Sequence, residues 1–126
     1  MVRERISTSN APGAIGPYSQ GIRAQGNFLF LSGQVCLTPG GELLKGDIKT
    51  QTKQAMSNLN GVLEAAGLTF ANVVKTTIFL SSMDHFAAVN EEYGSYFESD
   101  PPARSTVAVA GLPRGVDVEI EMIAVY

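Results

Sequence analysis

The sequence predicts an α/β fold of the α+β kind: one mixed six-stranded sheet with two helices on one face. Three observations carry this. Short apolar runs are punctuated by Gly, Pro and Asn turns. Only two segments show the three-four apolar spacing of a buried helix face. The resulting order, β-β-β-α-β-α-β-β, leaves the strands enough partners for one sheet. The chain of 126 residues is within the size of a single domain, taken here as residues 1–126.

The elements follow in order. Residues 4–8 form a short first strand. Residues 9–21 carry two prolines and three glycines, which makes them an ordered loop. Ile15 and Tyr18 are its large apolar side chains, and neither is expected in solvent. Tyr18 either pins the loop to the core or lines a pocket. Residues 22–25 and 28–35 read as two strands joined by a Gly26-Asn27 hairpin turn. The second is apolar through Phe28, Leu29, Phe30 and Leu31, the mark of a strand covered on both faces. Its end, Ser32-Gly33-Gln34, offers a hydroxyl and bare backbone: a bend, or a place where a ligand comes close.

Asp47 is an N-cap for a helix to about Ala66, with Gly67 as its stop. Ile48, Thr52, Ala55, Met56, Leu59, Val62, Leu63 and Ala66 make its buried stripe, and Gln51 falls outside it. Residues 72–81 form a strand, and Ser82 or Asp84 caps a second helix over residues 84–97. That helix buries Phe86, Val89, Tyr93 and Phe97, with Asn90 beside them, where it ties down a loop or faces a polar pocket. Pro101-Pro102 ends the helix and forces an extended entry into residues 104–109. The last strand, residues 116–125, alternates Asp117, Glu119, Glu121, Ile123 and Val125 with Val118, Ile120, Met122 and Ala124. With both helices on one face, the other face is bare. Phe28, Phe30, Ile120 and Met122 are too apolar to leave there in water, so burial by oligomerisation is expected.

Composition excludes several classes. Nine Lys and Arg against twelve Asp and Glu give a net charge of −3, and no two basic residues are adjacent. That pattern supplies no stripe for tracking phosphates, so a nucleic-acid partner is not expected. No apolar run approaches the ~20 residues of a membrane span, and the N-terminus reads as no signal peptide. Cys36 is the only cysteine and His85 the only histidine, so no internal disulfide or zinc set can be assembled. Cytoplasm is the default, and no metal or cofactor is expected.

One constellation has chemistry in it. Arg104 leaves a stiff proline turn, and Glu119 and Glu121 lie among apolar residues. A guanidinium fork matches the carboxylate of a small 2-oxo-type acid or its imine. A glutamate whose pKa burial raises from about 4.3 can move a proton for water attacking a C=N carbon. Glu119 is the first choice and Glu121 the second. The competing reading is an ordinary ion pair.

Ala14-Ile15-Gly16-Pro17-Tyr18-Ser19-Gln20-Gly21, Ser32-Gly33-Gln34, Glu64-Ala65-Ala66-Gly67, Val74-Lys75-Thr76-Thr77, Val89-Asn90, Pro102-Ala103-Arg104-Ser105 and Glu119-Ile120-Glu121 together resemble the RidA (YjgF) family, almost end to end. The resemblance implies chorismate-mutase-like subunits in a homotrimer, with sites in the clefts between them. It implies hydrolysis of 2-iminopropanoate and 2-iminobutanoate to 2-oxo acids and ammonia. On that reading Arg104 holds the carboxylate and Glu119 positions or activates water. Tyr18, Ser32, Gly33 and Asn90 line or support the pocket, and Thr106 contributes its backbone carbonyl. Thr106 stands where many relatives have cysteine, so a thiol has no role at that position. Some relatives carry an endoribonuclease or translation-inhibitor label, and a non-catalytic small-acid sensor or holdase would use the same clefts.

Overall fold

The computed structural model describes residues 2–126. Helix α1 (Ile48–Ala65) begins where Asp47 accepts a hydrogen bond from the Thr50 amide at 2.8 Å. It ends before Gly67, whose φ of 74° is one that a side chain resists. Thr52, Ala55, Met56, Leu59 and Leu63 are buried along the expected stripe. Three positions differ. Ala66, at the helix's end, is exposed. Val62 faces out, while Gln51 is fully buried. Gln51 can be buried because its amide is satisfied: it donates to Gly46 O and Asp117 Oδ2 and accepts from the Asp117 amide.

The six expected strands form, divided between two sheets. β3 (Phe28–Gln34), β6 (Val118–Val125), β4 (Val73–Leu80) and β5 (Ala103–Ala108) lie in that order in a four-stranded mixed sheet. β1 (Val2–Ile6) and β2 (Gly21–Gln25) pair antiparallel as a separate ribbon. The expected hairpin between β2 and β3 is therefore absent. Its turn has another job: Asn27 exchanges backbone hydrogen bonds with Tyr126, at 2.7 and 2.9 Å, which fastens the end of β6 beside β3. Gly26, at φ 144°, makes the bend that this pairing requires.

β4 and β5 are parallel, and the crossover between them is a 3₁₀ turn (Met83–His85) and helix α2 (Phe86–Gly94). Both helices cover one face of the sheet. Met56, Leu59 and Leu63 of α1 and Val89 and Tyr93 of α2 meet Leu31, Ile78, Leu80, Val118, Ile120 and Met122 in one core. Ile120 and Met122 thus belong to the helix face, not the bare one. Truncating such side chains to Ala costs about 2–5 kcal/mol. The opposite face is bare in the single chain, with Phe30 73% and Phe28 50% exposed. Ile15, expected to be covered, is 96% exposed. No helix is long and apolar enough to cross a membrane among the described residues.

Candidate active site

Arg104 is delivered by a docked loop and a proline turn. The Ser19 amide donates to Pro102 O at 3.1 Å, its hydroxyl donates to Pro101 O, and Ser19 bridges to Ala103. This holds the 9–21 loop against the start of β5. Arg104 pairs with Thr76 in the parallel register, which turns its side chain to the helix face. There Nη1 donates to Asn90 Oδ1 at 2.7 Å. Asn90 thus meets the Arg104 side chain and orients the guanidinium.

Three aromatic rings complete the clasp, with centroids 5.5 Å (Tyr18), 5.8 Å (Phe86) and 5.4 Å (Tyr93) from Arg104 Cζ. Gly16 closes the loop side: a side chain there would begin 3.9 Å from Arg104 Nη2. Burial lowers the Arg104 pKa from its ordinary value, opposed by the nearby Tyr93 and Tyr18. Burial pushes Tyr93 up to about 12, so its phenol stays neutral and bonds Thr76 Oγ1 at 2.8 Å. Tyr93 is no counter-ion at neutral pH. Among the described residues no carboxylate pairs with Arg104 either. The site is a half-buried, unneutralised cation with oriented donors, which suits a small carboxylate.

Helical spacing alone assigns Phe86 and Tyr93 to the core. The signal that could have found them is their spacing: 86, 90 and 93 share one side of α2, so the amide that meets Arg104 brings both rings with it.

Glu119 is elsewhere. Its register partner is Phe79, so it lies on the open face of the sheet, opposite to Arg104. Ser32 and Gly33 accompany it at the irregular end of β3. A Cβ on Gly33 would fall on Glu119 Oε2, so glycine there is what lets the carboxyl lie against backbone. Glu119 is half-buried and Glu121 exposed. One chain thus carries two groups: Tyr18, Asn90 and Arg104 on the helix side, and Ser32, Gly33 and Glu119 on the bare side. Thr106 shares the helix face with Arg104, opposite Ile78, and its hydroxyl oxygen is buried without a hydrogen-bond partner.

Two cavities lie apart from Arg104. One, about 420 Å³, is lined by Arg3, Phe70, Tyr96, Phe97 and Asp100 among others. The other, about 830 Å³, is an open groove between Gly33, Thr38 and the α1 surface. Cys36 is fully buried, and burial raises its thiol pKa. Among the described residues, no three His, Cys, Asp or Glu gather as a metal site needs.

The fold and sequence define a class of protein. Residues 8–126 match the family described as Endoribonuclease L-PSP. The Rid-family protein YyfB of Yersinia pestis is similar in structure, with a TM-score of 0.91 at 32% identity and full coverage of both chains. E. coli TdcF with bound serine gives a TM-score of 0.76 at 40% identity, covering 98% of each chain. The chain belongs to the RidA (YjgF) family. It is 50% identical to the 2-iminobutanoate/2-iminopropanoate deaminase of Mus musculus over 126 residues, covering 99% of this chain and 93% of that one. It is 51% identical over 124 residues to a RutC family protein of Pyrococcus horikoshii, covering 98% of each.

Proposed function

We propose that this protein hydrolyses small 2-imino acids, 2-iminopropanoate and 2-iminobutanoate, to the 2-oxo acids and ammonia. The observation that carries this reading is Arg104: oriented by Asn90, walled by three rings and without an acidic partner. The deaminase names of relatives such as the Mus musculus protein support it. In the reaction, Arg104 holds the substrate carboxylate through two parallel charged hydrogen bonds. Water adds to the C=N carbon as the Glu119 carboxylate takes its proton. The nitrogen is protonated in turn, the C–N bond breaks, and C=O and ammonia result. The Thr106 carbonyl, Tyr18, Ser32 and Gly33 complete the pocket walls.

Because Arg104 and Glu119 lie on opposite faces of one sheet, a site using both takes them from different copies. The exposed Phe28, Phe30 and Val107 give the bare face the apolar surface that a neighbour would cover. We therefore assign the working unit as a homo-oligomer with its sites between subunits, and the family resemblance implies a homotrimer. A nucleic-acid substrate has less support, since the nine basic residues are dispersed on a chain of net charge −3.

The test is release of ammonia and 2-oxo acid from freshly generated imine. Arg104→Ala and Glu119→Gln should each be inactive, and refolding the two together should restore part of the turnover. No restoration from well-formed mixed trimers would sink the shared site. Full activity of Arg104→Ala would sink the reading itself.

A further inference from the structure

We propose that Gly94 and Ser19 are positioning residues: together they clamp the Pro17-Tyr18 turn so that the Tyr18 ring stays over Arg104. The inference rests on the small-acid reading above and adds two residues on which its grip on the carboxylate depends.

The starting point is a contrast between two helical glycines. α1 and α2 each contain one, and glycine weakens a helix relative to alanine. A Cβ added to Gly61 of α1 would meet nothing within 4 Å. A Cβ added to Gly94, in the last turn of α2, would lie 3.1 Å from Pro17 Cβ and 3.4 Å from its Cγ. Pro17 therefore packs on the helix backbone itself, in space that any side chain at position 94 would need. Gly94 follows Asn90 by one helical turn. The side of α2 that meets Arg104 thus also meets the 9–21 loop.

Pro17 cannot yield without taking Tyr18 with it. The Tyr18 amide donates to Gly16 O at 2.8 Å, which closes a three-residue turn centred on Pro17. Proline's fixed φ stiffens that turn. The next residue fastens the chain again. Ser19 is 1% exposed, and it donates from its amide to Pro102 O and from its hydroxyl to Pro101 O. Tyr18 is held from both sides, by α2 through Pro17 and by the entry to β5 through Ser19. Those two elements carry Asn90 and Arg104, so ring, amide and guanidinium are set in register with one another. A shift of a few tenths of an ångström forced at Gly94 is passed to the ring that walls the cation.

Calorimetric binding of 2-oxobutanoate, together with imine kinetics, tests the clamp. Gly94→Ala should crowd Pro17 and weaken 2-oxobutanoate by about three- to tenfold. KM should rise by about the same factor while kcat stays within about twofold, because the ring acts on the grip and not on the chemical step. Gly61→Ala is the matched control with open space: it should raise Tm by about 2–4 °C and leave binding and kinetics unchanged. Ser19→Ala loosens the other side of the clamp without adding an atom and should weaken binding by a similar factor. In a Tyr18→Leu background neither Gly94→Ala nor Ser19→Ala should weaken it further, since the ring they position is gone. Wild-type affinity in either single variant, or losses that add to that of Tyr18→Leu, overturns the inference and leaves the carboxylate site standing. If Gly94→Ala does not fold, Ser19→Ala and its Tyr18→Leu combination decide by the same criteria. Failure of the wild type to bind 2-oxobutanoate overturns the site reading and this inference together.

Discussion

Arg3 and Arg104 begin alike and end differently. Each is partly buried, and burial lowers the pKa of each. Arg3 uses Nε and Nη2 on Val73 O, at 3.1 and 2.9 Å, and Nη2 again on Asp100 O at 2.7 Å. Those acceptors are backbone of β4 and of the turn before Pro101, so Arg3 ties the outer ribbon to the main sheet. Arg104 makes one hydrogen bond, to a side-chain amide, and otherwise faces rings. Rings attract a cation but do not neutralise it or fill its donors. Burial alone therefore does not separate a structural arginine from a binding one; the acceptors do. This is also why the cavity beside Arg3 is the weaker candidate for chemistry.

The comparison breaks most visibly at Arg104. Arg104→Ala should lower kcat/KM by a hundredfold or more, since two charged hydrogen bonds are worth about 1.5–3 kcal/mol each, while stability changes little. Arg104→Lys should recover only part, because the planar fork is lost. Arg3→Ala should do the reverse. Chemical denaturation should show a loss of about 1–3 kcal/mol, with steady-state constants near wild type. If Arg3→Ala costs turnover without costing stability, the distinction is wrong.

The acidic limb of stability is a smaller effect. Hydrogen bonds from Ser81 and then Gln51 hold the Asp117 carboxyl below its ordinary pKa, with His85 and Lys45 adding to the shift. Its contribution is therefore present above the unfolded value of about 3.9 and is lost as pH falls through the folded one. Denaturation curves of Asp117→Asn should be flatter than wild type across that acid range. Smallest of all, Glu91→Gln should leave Tm within about 1 °C, because the Lys49–Glu91 pair at 2.8 Å is solvent-exposed.

Much of the fold is legible residue by residue. Asp47 and Gly67 bound α1 as their cap chemistry requires, and the alternation of Thr76, Ile78 and Leu80 marks the buried side of β4. Helical spacing leaves Gln51 outside the buried stripe because its burial depends on Asp117, 66 residues away. The Gly26-Asn27 pair is equally ambiguous in isolation. It fits a hairpin turn, but its hydrogen bonds go to the chain's last residue. The Arg104–Asn90 contact was half legible: both residues stood out, but nothing local joins a strand entry to a helix side.

By itself the sequence determined the elements, their caps and the stiff proline entry to Arg104, because each depends on near neighbours along the chain. It also determined that Glu119 and Ile120 point to opposite sides of their own strand. Only the tertiary structure decided that Arg104 faces the helices while Glu119 faces away. That outcome depends on how β4 is aligned with β5 and with β6, and sliding either pairing by one residue would reverse it.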